Sequence, residues 1–257
     1  MSRIFITGSA DGLGRLAALR LVGQGHRVIL HGRSEERARQ AIAAVPGAES
    51  VLVGDLASLR ETKHLAVQVN DAGPVDAVIH NAGLGYRGDH RVVTEDGLSQ
   101  LFAVNTLAPY VLTALILRPP RLIYLSSGLH RSGDTSLDDL NWEQRPWNGM
   151  QAYSDTKLHD AMLASAVARR WPGGLANALE PGWVATKMGG PGAPDDLEAG
   201  AETQAWLAVS EEPGARVSGK YFFHLKEKKP HPAVHQVELQ DKLLAACARL
   251  SGVAFPA

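Results

Sequence analysis

Two side chains near the middle of the chain have types and a spacing suited to proton transfer. Tyr153 and Lys157 stand four residues apart in a segment where apolar residues recur with helical spacing at Leu158, Ala161 and Met162. The phenol and the ammonium therefore share one face of a predicted helix. Free tyrosine has a pKa of about 10, and a fixed cation within a few ångströms favours its anion. The pair predicts acid–base chemistry at a tyrosine hydroxyl.

A glycine-rich turn near the amino terminus has the composition of a phosphate-binding site. It lies where a predicted first strand meets a predicted first helix, and its glycines allow positive φ and a close approach of a ligand to the backbone. The start of the helix also offers free N–H groups to a pyrophosphate. We therefore predict that this turn binds a dinucleotide, against the alternative of a plain strand–helix connection. The predicted contact residues are Gly8, Ser9, Asp11, Gly12, Leu13 and Gly14.

The composition restricts the classes of function. With 257 residues, 45% of them hydrophobic and 21% charged, the chain can bury one large core, and we predict a single domain over residues 1–257. A net charge of −1 favours neither nucleic acid nor a membrane surface as partner. The one cysteine, Cys247, cannot form a disulfide bond within the chain, which favours a reducing compartment. The sequence shows no signal peptide and no apolar run of membrane-spanning length, so we predict a cytoplasmic protein.

Short apolar segments alternate with amphipathic segments over most of the chain. This alternation predicts a Rossmann-type fold, a three-layer α/β/α sandwich in which helices cover both faces of a doubly wound parallel sheet. The predicted strands are Arg3–Thr7, Arg27–Leu30, Ser50–Val53, Ala77–His80, Leu122–Leu125, Leu175–Ala178 and Gly219–Phe223. The predicted helices are Leu13–Gly23, Glu35–Val45, Leu59–Asn70, Glu95–Val104, Leu107–Leu117, Ala152–Arg170, Leu197–Val209 and His235–Leu250. Loops are predicted at Gly128–Met150 and Met188–Asp196, and Lys226–Pro232 is predicted to be solvated.

The motifs, taken in order, resemble those of the short-chain dehydrogenase/reductase family over nearly the whole chain. The glycine turn has the family's Thr-Gly-x-x-x-Gly-x-Gly spacing, Tyr153 and Lys157 match its Tyr-x-x-x-Lys pair, and residues 181–186 match Pro-Gly-x-Val-x-Thr. An Asn-Ala-Gly element after the fourth strand and a serine after the fifth strand also match. The long segment between this serine and Tyr153, and residues 219–222, are similar to the retinol-dehydrogenase-like branch.

The resemblance implies roles for four residues. Tyr153 is expected to donate or accept the proton, and Lys157 to stabilise the phenolate and to bind the nicotinamide ribose. Ser127, which aligns better than Ser126, is expected to polarise the substrate oxygen, and Asn105 to hold a water next to Lys157. The expected cofactor contacts beyond the glycine turn are Arg33, Ser34, Asp55, Leu56, Asn81, Ala82, Gly83, Tyr153, Lys157, Pro181, Gly182, Val184 and Thr186.

The end of the second strand indicates which nicotinamide cofactor is used. An acidic residue there would bind a free ribose 2′-OH and repel a 2′-phosphate, whereas this chain has Gly32 followed by Arg33 and Ser34. Because a guanidinium can hold a phosphate at two points, NADP(H) is predicted over NAD(H), which stays the alternative. Many NADP-using relatives carry a basic residue where this chain has Asp11. Asp55 is interpreted either as an adenine contact or as the cap of the next helix.

These features together predict an NADP(H)-dependent oxidoreductase that interconverts a ketone or aldehyde and its alcohol by hydride transfer. Trp183, Trp147, Tyr86 and Met188 around the predicted pocket favour an apolar or aromatic small-molecule substrate. An alternative is a non-catalytic NADP(H)-binding redox sensor, which would not need to retain a proton donor. An epimerase or dehydratase acting on nucleotide sugars is disfavoured because the length provides no further substrate domain.

Other side chains and the oligomeric state are less informative. The histidines do not form a zinc-binding pattern, so no metal site is predicted, and His90 and His130 are interpreted as solvated loop residues. In relatives, the helix that follows Asn105 and the helix that carries Tyr153 commonly form the subunit interface. Here the first of these helices is short and stops before Pro119, which leaves a homo-oligomer through this interface open.

Overall fold

An eight-stranded sheet forms the centre of the computed structural model, which describes residues 1–86 and 88–256. The strand order is β3-β2-β1-β4-β5-β6-β7-β8, and β1 to β7 run parallel while β8 pairs antiparallel with β7. The strands are β1 (Arg3–Ile6), β2 (Arg27–Gly32), β3 (Ser50–Val53), β4 (Ala77–His80), β5 (Arg121–Leu125), β6 (Leu175–Glu180), β7 (Tyr221–Phe223) and β8 (Lys226–Glu227).

Helices cover both faces of this sheet and complete the predicted three layers. The α-helices are α1 (Gly12–Gly23), α2 (Glu35–Ala44), α3 (Leu59–Asp71), α4 (Gln100–Phe102), α5 (Ala108–Leu115), α6 (Gly149–Arg170), α7 (Leu197–Val209) and α8 (Val237–Ser251). Apolar residues of α1, α2 and α7 pack on one face, and those of α3, α5, α6 and α8 pack on the other. The apolar strands are therefore buried on both sides, as their lack of polar alternation predicts.

The order of the strands decides where a ligand can bind. The chain proceeds from β1 outward to β3, and then returns to place β4 on the other side of β1. At such a switch point the loops after the two central strands diverge and leave a crevice at their carboxyl ends. The glycine turn follows β1 and the Asn-Ala-Gly element follows β4, so both motifs lie at this crevice.

Two sequence predictions are wrong in detail. The helix predicted to begin at Glu95 begins at Gln100, because a turn with Gly97 at φ +77° and a bridge between Val93 and Ser99 precede it. The predicted loop 128–150 contains a 3-10 turn at Gly128–Ser132, and its last two residues already belong to α6. The segment Lys226–Pro232 is exposed over its first four residues, as predicted, and it also contributes β8, which forms a short hairpin with β7.

Between α4 and α5 the helix widens into a π-helical segment at Ala103–Leu107. Segments of this kind insert an extra residue into a helical turn and are frequent at functional sites. Asn105 lies at the centre of the segment, and all five of its residues are buried. None of the helices in the described ranges combines the length and the apolar composition that crossing a bilayer requires.

Candidate active site

The glycine turn fits a bound dinucleotide because it leaves no room for side chains. Gly8 has φ +66°, and a Cβ atom added to it would lie 2.8 Å from Cα of Ala82. A Cβ atom on Gly14 would lie 2.4 Å from Nδ2 of Asn81. Asp11 occupies the N-cap position of α1, but its side chain makes no hydrogen bond to the N–H groups of the helix. The first N–H groups of α1 thus remain available to a pyrophosphate.

Two neighbouring strands hold this turn in place. Asn81 donates from Nδ2 to the carbonyl oxygens of Thr7 and Gly8 at 3.0 and 3.1 Å. On the other side, Nδ1 of His31 accepts from the N–H of Gly8 at 2.9 Å, and Nε2 donates to the carbonyl oxygen of Gly54 at 2.8 Å. Burial lowers the pKa of His31, which keeps the ring neutral and suited to this pair of bonds. The sequence analysis did not identify His31, because its partners become neighbours only in the folded sheet.

A cluster of charges surrounds the outer end of the turn. Asp11 accepts from Arg37 at 2.6 Å and from Lys187 at 2.8 Å. Burial works to raise the pKa of Asp11, but the hydrogen bonds from the two cations outweigh it and hold that pKa below its usual value. Ser34 caps α2 by accepting from the N–H of Arg37, and the side chain of Arg33 beside it is exposed. Arg37 is thus a further cation beside the glycine turn, and no local sequence pattern singles it out.

The end of β3 settles one alternative. Oδ1 of Asp55 accepts from the N–H of Ala57 at 2.9 Å, while the cap of α3 is Ser58, which accepts from the N–H of Glu61. The interpretation of Asp55 as the helix cap is therefore wrong. The neighbouring Leu56 is buried.

Tyr153 and Lys157 lie in the second and third turns of α6 and face the crevice. Both line a cavity of about 490 Å³ that also touches Gly12 and Asn81. The Nζ atom of Lys157 lies 5.8 Å from the centroid of the Tyr153 ring, and both residues are less than 10% exposed. The Tyr153 hydroxyl donates to the sulfur of Met188 at 3.9 Å. Because a thioether sulfur is a weak acceptor, an oxygen atom of a ligand would take its place as the hydrogen-bond partner. The sequence-predicted pair and the phosphate cradle thus share one cleft.

Asn105 supports this pair from below. Its Oδ1 accepts from the N–H of Leu84 at 2.7 Å, and its Nδ2 donates to the carbonyl oxygen of Leu84 at 3.0 Å and to Oγ1 of Thr156 at 3.1 Å. A Cβ atom placed on Gly83 would lie 3.5 Å from Nζ of Lys157 and 3.6 Å from Oδ1 of Asn105. Asn105 therefore fixes the end of the Asn-Ala-Gly element directly over the lysine.

The two serines after β5 have different environments. Ser126 is buried and donates to the carbonyl oxygen of Lys157 at 2.6 Å, so it ties β5 to α6. Ser127 is partly exposed, accepts from the N–H of Leu129 at 3.3 Å and lines a second cavity of about 570 Å³. Tyr153 lines both cavities. Of the two hydroxyls, that of Ser127 is the one left for a ligand in the second cavity.

A buried network positions Ser127. Nδ1 of His130 donates to the carbonyl oxygen of Ser127 at 2.7 Å, and the hydroxyl of Tyr221 donates to it at 3.1 Å. Nε2 of His130 accepts from the N–H of His231 at 3.1 Å. Burial lowers the pKa of His130, which favours this neutral form. The interpretation of His130 as a solvated loop residue is wrong, since the ring is fully buried, whereas His90 is exposed as expected.

The segment after β6 closes the cleft from the other side. Gly182 has φ +88°, and a Cβ atom on it would lie 2.7 Å from Oδ2 of Asp195, which accepts from the N–H of Trp183 at 2.6 Å. The loop therefore folds back on itself, and Thr186 comes to lie 3.7 Å from the position of a Cβ atom on Gly12. Pro181 and Thr186 line both cavities.

The four side chains expected at the substrate pocket all lie on cavity walls. Tyr86 and Met188 line both cavities, Trp147 lines the first and Trp183 the second. Trp183 is 58% exposed, which leaves most of its ring available to a ligand. This part of the cleft is thus wide and largely apolar.

Comparisons with known proteins identify the family. The short chain dehydrogenase family model matches residues 2–129. An uncharacterized oxidoreductase of Emericella nidulans is 47% identical over 260 residues, with 100% of this chain and 99% of that protein covered. The short-chain dehydrogenase chyC of Penicillium rubens is 44% identical over 261 residues, with both proteins fully covered. Retinol dehydrogenase 13 of Homo sapiens is 34% identical over 285 residues, covering 98% of this chain and 85% of that protein.

Solved structures show the same architecture. The crystal structure of an uncharacterized protein from Mycobacterium paratuberculosis superposes with a TM-score of 0.86 at 26% identity, covering 100% of this chain and 96% of that one. A blue fluorescent protein from a metagenomic library, in complex with NADPH, superposes with a TM-score of 0.69 at 23% identity, covering 86% of this chain and 95% of that one. The second likeness concerns the fold alone. The chain belongs to the short-chain dehydrogenase family, in the branch that includes retinol dehydrogenase 13.

Proposed function

We propose that the protein interconverts a ketone or aldehyde and its alcohol with NADP(H), and that Tyr153 is the general acid and base. The observation that carries the proposal is that Tyr153 and Lys157 share one cavity with the glycine turn. Membership of the short-chain dehydrogenase family supports hydride transfer to or from a nicotinamide as the reaction class. The retained Ser127, Tyr153 and Lys157 set argues against the redox-sensor alternative.

The residues of the chain supply the proton and the charge stabilisation. When bound, the nicotinamide supplies or accepts the hydride. In the reducing direction, Tyr153 donates its proton to the substrate oxygen, and the ammonium of Lys157 stabilises the phenolate that remains. Ser127 donates a hydrogen bond to the same oxygen as negative charge develops on it. In the oxidising direction, the phenolate of Tyr153 accepts the proton of the alcohol.

Asn105 has a positioning role in this scheme. Both polar atoms of its side chain are occupied by Leu84, and one of them also by Thr156. We therefore assign to its side chain the task of holding the Asn-Ala-Gly element over Lys157. The water next to Lys157 that the resemblance implies for Asn105 stays a prediction.

The preference for NADP(H) rests on the cations at the start of α2. Arg33 and Ser34 are both exposed, so both are accessible to a phosphate on the ribose. Arg37 adds a guanidinium that is held near the glycine turn by Asp11. A 2′-phosphate placed between these groups would receive charge-assisted hydrogen bonds, which a 2′-hydroxyl receives only in part. A blue fluorescent protein with the same fold was solved in complex with NADPH, which is compatible with the proposal.

The substrate proposed for this cleft is an apolar or aromatic carbonyl compound. The second cavity, about 570 Å³ in volume, is lined on its apolar side by Trp183, Val184, Phe223 and Met150. A cavity of this size and composition suits a ligand with one or two rings. The name of retinol dehydrogenase 13, a relative, also points to an apolar alcohol.

The test is NADPH and NADH oxidation against a panel of aromatic ketones, aldehydes and quinones, with wild type and Tyr153→Phe. We expect NADPH turnover on part of the panel and a loss of about 10²- to 10⁴-fold in kcat for Tyr153→Phe, the usual contribution of a general acid. Tyr110→Phe is the matched control, because it removes a buried phenolic hydroxyl that donates to Val253, remote from the cleft. Unchanged turnover in Tyr153→Phe would contradict the assigned acid.

A further inference from the structure

Lys157 has a charged partner that the proposed mechanism does not use. Asp160, one turn further along α6, accepts from Nζ of Lys157 at 2.8 Å, and Nζ also donates to the carbonyl oxygen of Leu125 at 2.6 Å. The side chains of Lys157 and Asp160 are only 5% and 4% exposed. Two of the three ammonium N–H groups are thus directed by the protein, and one is left for the cleft.

An ion pair this deeply buried needs a physical reason. Taking two charges out of water is costly, and such pairs contribute little to stability compared with apolar residues of the same volume. Burial works to lower the pKa of Lys157, but Asp160 and Tyr153 together outweigh burial and hold that pKa above its usual value. Burial also raises the pKa of Asp160, and the ammonium opposes this shift. While Tyr153 is neutral, a lysine without Asp160 would be buried with no anion beside it to keep it protonated.

The other groups that face Asp160 are uncharged. Tyr124 of β5 lies near it, and its hydroxyl bonds to Oγ1 of Thr113 at 2.7 Å. His80 of β4 contacts the same Thr113 at 3.0 Å, and burial lowers the pKa of His80 to about 3, so its ring is neutral. Among the described residues around it, Asp160 therefore has Lys157 as its charge partner.

We propose that Asp160 is a positioning residue for the reaction proposed above: it keeps Lys157 protonated and holds its Nζ against Leu125 at the wall of the cleft. The proposal rests on the proposed function of Tyr153 and Lys157. Asp160 acts through Lys157 and does not itself reach the reacting atoms. Its carboxylate ensures that the phenolate of Tyr153 always forms beside a cation.

Removing the carboxylate of Asp160 can shift the pH dependence of the activity in either direction, according to whether Lys157 keeps its proton. If Lys157 stays protonated, losing a nearby anion favours the phenolate, and the oxidising activity shifts to lower pH. If Lys157 loses its proton, the phenolate loses its cation, and the activity shifts to higher pH. The proposal requires the second outcome, because burial in this site disfavours an unpaired ammonium.

The experiment is the pH–rate profile of alcohol oxidation for wild type and Asp160→Asn, a substitution of equal size. In Asp160→Asn we expect the midpoint of the pH–rate profile to move by at least about one pH unit to higher pH. At a pH below the midpoint, the oxidation rate should therefore fall about tenfold. Asp160→Glu, which retains the carboxylate, should return the midpoint to that of wild type. A midpoint that is unchanged or lower in Asp160→Asn, or a Glu variant that behaves like the Asn variant, overturns the proposal.

Asp155→Asn is the matched control for buried charge on the same helix. Asp155 is also 5% exposed and pairs with Arg145 at 2.7 Å, but it has no contact with Lys157. We expect Asp155→Asn to lower the Tm without moving the midpoint of the pH–rate profile. An equal shift of this midpoint in Asp155→Asn and Asp160→Asn would overturn the proposal.

If no carbonyl is turned over, the proposed function fails, but the role of Asp160 can still be tested. For wild type and each Asp variant, the tyrosinate absorbance is recorded against pH and that of the same protein carrying Tyr153→Phe is subtracted. The difference gives the pH at which Tyr153 ionises, without any turnover. We expect this pH to shift between the variants in the same way as the midpoint of the pH–rate profile.

Discussion

The proposed cofactor side and the proposed substrate side of the cleft are built by different means. On the cofactor side, the glycine turn is clamped by buried hydrogen bonds, with Asn81 on one side and His31 on the other. On the substrate side, the loops after β5 and β6 present large side chains, and Trp183 among them is 58% exposed. On the first side the fold holds the backbone of the glycine turn in one conformation, whereas on the second side exposed side chains form the wall of the cleft. Changes of a single atom should therefore matter on the cofactor side, and whole side chains should be replaceable on the substrate side.

The largest expected effect is that of Gly14→Ala on the cofactor side. The added Cβ atom would lie 2.4 Å from Nδ2 of Asn81 and 2.6 Å from the carbonyl oxygen of Gly8, and neither can move without opening the turn. Overpacking of this kind costs about 1–3 kcal/mol. We expect the Kd for NADPH to rise on the order of a hundredfold, since the distortion falls on the N–H groups that face the pyrophosphate. Titration of NADPH fluorescence and a thermal melt would measure the two effects.

Gly23→Ala is the control on the same helix. A Cβ atom on Gly23, the last residue of α1, would meet no other atom within 4 Å. Because alanine is the better helix former, this variant should be as stable as wild type or slightly more stable, with the same Kd for NADPH. Equal losses of NADPH binding in both variants would show that α1 as a whole, and not the close approach at Gly14, limits binding.

An intermediate effect is expected for Arg33→Ala at the rim of the cofactor side. A charge-assisted hydrogen bond to a phosphate contributes about 1.5–3 kcal/mol, so KM for NADPH should rise about tenfold or more. KM for NADH should change less than about twofold, because NADH has no 2′-phosphate. Arg39→Ala, an exposed arginine on the same α2, controls for the loss of one positive charge. Equal changes for the two cofactors in Arg33→Ala would contradict the assigned role of Arg33.

Features that lie within one element could be predicted from the sequence, whereas features that depend on packing between elements could not. The glycine turn and the Tyr153–Lys157 pair depend on spacing within one element, and strand–helix alternation fixed the layers and the seven parallel strands. Asp160 lies only three residues after Lys157, yet a carboxylate there is ordinary on a solvated helix face. Only the packing of α6 against β5 shows that the pair is buried.

The residues that were missed lie far apart in the chain and meet in the fold. Arg37 and Asp11 are separated by the whole of β2, and His31 contacts the glycine turn only because β2 pairs with β1. The π-helical segment around Asn105 has no local sequence signal, since its residues are as compatible with an α-helix. His130 was assigned to solvent because it lies in a loop, but the approach of Tyr221 buries it.

The smallest effect is expected on the substrate side, for Trp183→Ala. The ring contributes to the wall of the second cavity, and its Nε1 donates to the carbonyl oxygen of Gly189 at 2.9 Å. A substrate that covers part of this exposed ring would lose about 1 kcal/mol of contact, which is about a fivefold increase in KM for an aromatic ketone. KM for NADPH and the Tm should stay close to wild type, because Trp183 is exposed and does not touch the glycine turn. Leu117→Ala, at a side chain that is 60% exposed and outside both cavities, is the control. A loss of NADPH binding in Trp183→Ala that matches its effect on the ketone would mean that the loop after β6 serves both ligands, and the division of the cleft into two independent sides would then be wrong.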